Sequence, residues 1–315
     1  MEILRFFEQF RCPALDAVFS VLTCFGEETV FMILALAVFL CRDKYDGYYL
    51  LLTGFFGTLA SQFLKMLCRI PRPWVRDPSF SAVESAKAGA GGYSFPSGHS
   101  QTAVGLFGGA ALLSEKRPVR ILLIALCLLV PISRMYLGVH TPWDVLVGAL
   151  LGLLPALALR PVFQKARTHS GVLAAVMIGA TALCVLYLVF VTCFPWKEEV
   201  LSPENIDNLL HAKKNGFTLT GCIFGLDLTC FLDEKFLHFE TKTTPGMAIL
   251  KLLGGLLLLV VCKVGLSEPM LLLFKGEYAA RCVRYFLTVF CVTLVWPLFF
   301  RECIQKPLTR KKETA

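Results

Sequence analysis

The chain has 315 residues, of which 56% are hydrophobic and 17% charged, and its formal net charge is +8. Soluble domains carry about 25% charged residues, so this composition excludes an ordinary soluble globular protein. The basic excess lies in short loops and the C-terminal tail, with no aromatic platform on a basic face, which excludes a nucleic-acid-binding module.

Residues 1–16 lack the basic stretch, apolar run and small-residue cleavage site of a signal peptide. Ile3, Leu4, Phe6, Phe7 and Phe10 recur at helical spacing, which predicts an amphipathic helix lying on the membrane surface. Apolar segments follow near 17–41, 46–68, 97–114, 119–137, 142–160, 171–194, 216–236, 247–267 and 283–301. A bilayer core takes roughly 20 apolar residues per helix, so the predicted fold class is all-α: a polytopic transmembrane helix bundle of about nine spans. Glu27 and Glu28, near one end of the first span, either line a substrate path or lie at the interface. The seventh segment is the weakest, with Asp227 inside it; pairing with Lys251 or Lys263 is one expectation and a functional role another. Residues 195–214, with Glu198, Glu199, Glu204 and Asp207, are expected to form a polar loop in the second half. The predicted organisation is an interfacial helix (1–16), a catalytic core (17–170), additional transmembrane helices (171–304) and a basic cytoplasmic tail (305–315).

The thirteen cysteines are scattered, mostly inside apolar runs and with no CxxC pair. They read as small hydrophobes rather than disulfide partners or metal ligands. Arg42 and Lys44, then Lys116, Arg117 and Arg120, then Arg160, Lys165 and Arg167, then Arg310, Lys311 and Lys312 follow the first, third, fifth and ninth spans. The positive-inside rule makes that side cytoplasmic. The N-terminus, the 69–96 loop and the 138–141 turn are then expected to face outward.

Chemistry gathers in three clusters, all on that outer side. Lys65 and Arg72, the latter followed by Pro73, close the second span. Pro96-Ser97-Gly98-His99 opens the third, and Ser133-Arg134 with His140 and Asp144 joins the fourth to the fifth. Arg grips phosphate bidentately and Lys adds a point charge. Cations at the ends of apolar helices are costly unless they snorkel to the headgroups or meet an anion. Ser97 suits an N-cap and Gly98 permits close approach of a ligand to a helix start, where free N–H groups favour phosphate. Thr141 suits an N-cap and Pro142 the first helical position, so Asp144 reaches back toward His140. It either caps the helix alone or also holds one imidazole nitrogen as donor and leaves the other as nucleophile. His169, His211 and His238 lie in polar stretches and read as surface residues.

Together the clusters K-x6-RP, PSGH and SR-x5-H-x3-D resemble the signature of the type 2 phosphatidic acid phosphatase superfamily, over roughly residues 15–165. Gly92-Tyr93-Ser94-Phe95 is similar to its bacterial lipid-phosphatase members, and nine spans resemble the glucose-6-phosphatase topology. The resemblance implies in-line attack by His140, assisted by Asp144, to form a phosphohistidine. It implies that His99 protonates the leaving oxygen and later serves as base for water. Lys65, Arg72, Arg134, Ser97 and the Gly98 N–H would hold the nonbridging oxygens. No cofactor is expected, and no metal, because His99 and His140 lack companions at zinc spacing.

The expected partner is a lipid phosphate in a bilayer. Undecaprenyl diphosphate, phosphatidate and phosphatidylglycerol phosphate are the candidates. An outward-facing site in a bacterial plasma membrane gives the first a slight edge. Alternatives are a phosphatase of small soluble esters such as a sugar phosphate, a lipid phosphotransferase, and a non-catalytic lipid-binding membrane protein. The oligomeric state has no signal in the sequence.

Overall fold

The computed structural model describes residues 1–193, 203–241 and 243–305, and every regular element among them is helical. Helix α1 (Glu2–Gln9) leads into α2 (Pro13–Cys24) and α3 (Glu28–Cys41). Helix α4 (Lys44–Cys68) ends at a long loop carrying the short helices α5 (Pro73–Arg76) and α6 (Glu84–Lys87). Helix α7 (Gly98–Ala103) continues through a π-helical turn (Val104–Gly108) into α8 (Gly109–Leu113). Then come α9 (Arg117–Tyr136), α10 (Pro142–Ala166), α11 (Ser170–Cys193) and α12 (Pro203–Leu232). The last elements are α13 (Pro245–Gly265), α14 (Ser267–Phe274), α15 (Glu277–Phe290), a π-helical turn, α16 (Trp296–Phe299) and a final π-helical segment (Phe300–Gln305). Proline stands in the first turn of α2, α5, α9 and α13, where its missing N–H costs nothing.

Seven of the described helical segments are long and apolar enough to cross a bilayer, and an eighth span is available if α2 and α3 count as one. The all-α polytopic fold and the expectation of about nine spans agree with this. The segment expected near 97–114 forms a helical run from Gly98 to Leu113, shorter than the others. The single span expected over 17–41 is instead two helices bent by 43°. The break falls at Phe25-Gly26-Glu27, where Phe25, Gly26 and Glu27 close turns onto Leu22, Thr23 and Cys24 carbonyls instead of continuing the helical ladder.

Two further expectations are corrected. Residues 203–214 are helical rather than a loop, because Pro203 starts α12 and the Asn205 side chain anchors its first turn by accepting from the Tyr93 hydroxyl at 2.7 Å. Glu198 and Glu199 of that loop, and the basic tail residues Arg310, Lys311 and Lys312, lie outside the described residues. Asp227 pairs with neither lysine. The Thr181 hydroxyl on α11 donates to it, and the Lys251 ammonium lies over the Phe300 ring, 6.0 Å from its centroid. All thirteen cysteines are free thiols.

The chain divides into two compact units. The first comprises Met1–Ala35, Tyr49–Val162 and the described part of Phe194–Ala212. At one end of it a small apolar core gathers Leu4, Phe80, Tyr136, Leu137 and Val139, with Phe7 and Phe19 packed alongside. Helix α1 is tied down there. Arg5 pairs with Asp77 at 2.8 Å, Glu8 accepts from the Ser81 amide at 3.2 Å, and Arg11 donates to the Tyr136 carbonyl at 3.1 Å. The N-terminus, the 69–96 loop and the 138–141 turn therefore share one face of this unit.

The second unit comprises Leu36–Tyr48, Phe163–Cys193 and the described part of Lys213–Ala315. Its helices are tied by polar contacts such as Thr229–Thr293 at 2.8 Å and Trp296 Nε1 to the Lys251 carbonyl at 2.7 Å. Arg167 bridges Asp43 and Asp46 at 2.8 and 2.6 Å, and Lys44 pairs with Asp233 at 2.6 Å.

Candidate active site

The three sequence clusters meet in the first unit through backbone geometry as much as through side chains. Helix α9 ends in a turn in which the Gly138 and Val139 amides donate to the Met135 and Arg134 carbonyls. Gly138 takes φ of +77°, a conformation that a side chain disfavours. This turn delivers His140 directly onto the start of α10. There Thr141 and Asp144 cap each other: the Thr141 amide donates to Asp144 Oδ2 at 2.7 Å, and the Asp144 amide to Thr141 Oγ1 at 3.4 Å.

Ser97 caps α7, accepting from the Ser100 amide, and its own amide donates to the Asp144 carbonyl at 2.9 Å. So close an approach requires glycine on α10. A Cβ at Gly148 would strike the Ser97 carbonyl, and one at Gly152 would strike the Gln101 carbonyl. Gly148 and Gly152 stand four apart, the small-residue spacing that lets membrane helices touch backbone to backbone.

The cations are held by carbonyls. Lys65 donates to Tyr93 O at 2.6 Å. Arg72 donates through Nη2 to Gly91 O at 2.7 Å, through Nε to Gly92 O at 3.1 Å and through Nη1 to Val139 O at 3.1 Å. Arg72 Nη1 also lies 2.9 Å from His140 Nε2. Arg134 donates to Thr23 Oγ1 at 2.8 Å, while its Nε and Nη2 are buried without a protein partner.

His140 and Asp144 are almost fully buried. Asp144 Oδ2 is 3.5 Å from His140 Nδ1, beyond hydrogen-bond length, because that oxygen already accepts from Ser94 Oγ at 2.6 Å and from the Thr141 amide. An arginine can only donate. Its contact with Nε2 therefore requires a lone pair there, which leaves the proton on Nδ1, facing the carboxylate. Burial, then Arg72, Arg134, Lys65 and His99, push the His140 pKa well below the usual imidazole value.

His99, half-buried in the first turn of α7, borders a cavity of about 330 Å³ together with Gly98. Each of the eight sequence-derived residues, Lys65, Arg72, Ser97, Gly98, His99, Arg134, His140 and Asp144, thus lies in or beside this one region. Sequence reasoning missed two polar partners. Ser94 belongs to the Gly92–Phe95 stretch but gave no sign of reaching Asp144, and Thr23 carries no signal at all.

Residues 46–168 match the PAP2 superfamily, and residues 217–307 match the transmembrane extension of PAP2 superfamily phosphatases. The chain is 32% identical over 159 residues to phosphatidylglycerophosphatase B of Bacillus subtilis, covering 46% of this chain and 73% of that protein. Among solved structures it is similar to a transmembrane PAP2-type phosphatidylglycerolphosphate phosphatase from Bacillus subtilis (29% identity, 52% of this chain, 84% of that one, TM-score 0.45). It is also similar to Aquifex aeolicus LpxE (29% identity, 50% of this chain, 92% of that one, TM-score 0.44). With its signature complete from Lys65 to Asp144 and its long apolar helices, the chain belongs to the PAP2 superfamily, as an integral-membrane lipid phosphatase with the family's transmembrane extension.

Proposed function

We propose that this protein hydrolyses a lipid phosphomonoester of the phosphatidylglycerol phosphate kind, through a phosphohistidine formed at His140 Nε2. One observation carries the reading. Arg72 Nη1 lies 2.9 Å from His140 Nε2 with the Asp144 carboxylate at the other ring nitrogen, and the buried Arg134 keeps Nε and Nη2 without a protein partner. Burying an unpaired cation costs several kcal/mol, and a phosphate dianion is the partner that offsets it. The name of the relative matched over 73% of its length supports the lipid chosen.

Substrate phosphate takes Arg72 Nη1 away from Nε2 and so frees the lone pair for attack in line. Arg134, Lys65 and the first N–H groups of α7 meet the nonbridging oxygens. The bound phosphate dianion offsets the cations around His99, so the ring takes a proton from water and gives it to the leaving alcohol. Water then attacks phosphorus with His99 as base, and the P–N bond to His140 breaks. The protein's own cations supply the charge stabilisation, so the reaction proceeds without a metal. Residues 17–170 form the catalytic core and 171–304 the additional helices, a division supported by the two family matches. The site faces outward across a bacterial plasma membrane, as the basic loops argue.

The test is phosphate release from phosphatidylglycerol phosphate, phosphatidate, a prenyl diphosphate and glucose-6-phosphate, in detergent with EDTA. The proposal expects cleavage of the lipid monoesters, unaffected by EDTA and abolished in His140→Ala. Preference for the sugar ester, or an active alanine variant, would refute it.

A further inference from the structure

Consecutive backbone carbonyls hold the cations Lys65 and Arg72. Gly91 O and Gly92 O accept from Arg72 at 2.7 and 3.1 Å, and Tyr93 O accepts from Lys65 at 2.6 Å. The segment that supplies them, Gly89-Ala90-Gly91-Gly92-Tyr93, is rich in glycine, and Gly92 takes φ of +73°. Glycine leaves the backbone its widest choice of conformations, so these carbonyls keep their aim only where neighbouring groups are anchored. On one side the Ala90 amide donates to the Lys87 carbonyl at 2.9 Å, and on the other the Ser94 amide donates to the Ile70 carbonyl at 2.8 Å. A further anchor comes from far along the chain. The buried Tyr93 side chain donates its hydroxyl to Asn205 Oδ1 at 2.7 Å. Asn205 stands in the first turn of α12, a helix that begins in the first unit and continues into the second.

We propose that Asn205, acting through Tyr93, is a positioning residue for phosphate binding, so that the start of α12 belongs to the frame of the active site. This rests on the reading of Lys65 and Arg72 as grips on the substrate phosphate. Tyr93 is held at both ends, its backbone by the Lys65 ammonium and its ring by Asn205. Without the outer hold the ring is free to turn, and the three carbonyls drift from the cations together. Lys65 and Arg72 must then be ordered as the phosphate binds, at a cost in side-chain entropy, and cations set less firmly stabilise the transition state less. The hold acts on the phosphate end, which every substrate shares. Its loss therefore lowers turnover by one factor, whatever the leaving alcohol. A helix beyond the catalytic core thus has a share in the chemistry.

The experiment compares the full-length protein with Tyr93→Phe, Asn205→Leu, Asn205→Asp and the Tyr93→Phe/Asn205→Leu pair in mixed micelles. It reads kcat and KM for phosphatidylglycerol phosphate and phosphatidate, the inhibition constant of inorganic phosphate, and the melting temperature. Tyr93→Phe and Asn205→Leu should each lower kcat by about tenfold on both substrates and weaken phosphate inhibition by about threefold or more. The pair should be worse than either alone by less than about twofold, because both substitutions break one bond. Asn205→Asp keeps an accepting oxygen and should stay within about threefold of the unmodified protein. A lowered melting temperature with unchanged kcat and phosphate inhibition in Tyr93→Phe and Asn205→Leu would overturn the proposal and leave Asn205 as an anchor of α12 alone. Multiplied losses in the pair, or equal losses in Asn205→Leu and Asn205→Asp, would overturn it too. Lys65→Met tests the reading beneath it: unaltered phosphate inhibition there would remove Lys65 from phosphate binding, and the role of Asn205 with it.

Discussion

At His140 two neighbours divide the imidazole between them: Arg72 Nη1 stands 2.9 Å from Nε2, and the Asp144 carboxylate faces Nδ1 at 3.5 Å. The ring is thus neutral at pH 7 with its nucleophilic nitrogen defined. Because the folded-state pKa is pushed down by burial and by the surrounding cations, the unfolded chain takes up a proton near pH 6.5 that the folded one refuses. Stability from this residue is present above about pH 6.5 and is lost as pH falls below it. The melting temperature in detergent should therefore drop from pH 7.5 to pH 5, and the drop should be smaller in His140→Gln; equal slopes would count against a neutral buried ring. Ser94 offers a second test. Its hydroxyl at 2.6 Å helps fix the Asp144 carboxylate. Ser94→Ala should lower kcat by about tenfold with little change in KM, the scale seen when an outer partner of a functional side chain is removed. A change in KM alone would place Ser94 in binding.

Helix starts and ends do most of the positioning. Gly148 on α10 lets the Ser97 carbonyl approach the helix backbone. Gly148→Val must push the α7 start outward. Overpacking of this kind costs about 1–3 kcal/mol, and the shift of Ser97 and His99 should cost activity far more, about a hundredfold. A valine variant with full kcat would show that this contact does not set the site. The sequence was most legible where chemistry coincides with helix punctuation. Thr141-Pro142 and Asp144 announce a helix start, Ser97-Gly98 another, and Lys65 closes an apolar run, so the site could be assembled from element ends. What stayed hidden has physical reasons. The contact of Gly148 and Gly152 with α7 had a visible signal in their four-residue spacing, but spacing does not name the partner helix. The bend at Gly26 lies inside a run apolar enough for one continuous span. Helix α12 extends through 203–214, where polar composition alone reads as loop; its anchor, Tyr93 to Asn205, is a long-range bond no local pattern predicts.

For the whole molecule, the proposed orientation rests on the basic loops, and α1, the 69–96 loop and the 138–141 turn share the face it turns outward. A green fluorescent protein fused after Ala315 should fluoresce in a bacterial host, and an alkaline phosphatase fused there should be inactive. The reverse pattern would turn the site toward the cytoplasm. The account depends above all on one covalent step, transfer of phosphate to His140. Rapid acid-free quenching after mixing with phosphatidylglycerol phosphate labelled in its terminal phosphate should trap label on the protein. The bond should be labile to acid and stable to alkali, the label should map to the peptide containing His140, and it should be absent in His140→Ala. Label that survives the alanine substitution, or turnover with water attacking phosphorus directly and no labelled protein at any time, would contradict it.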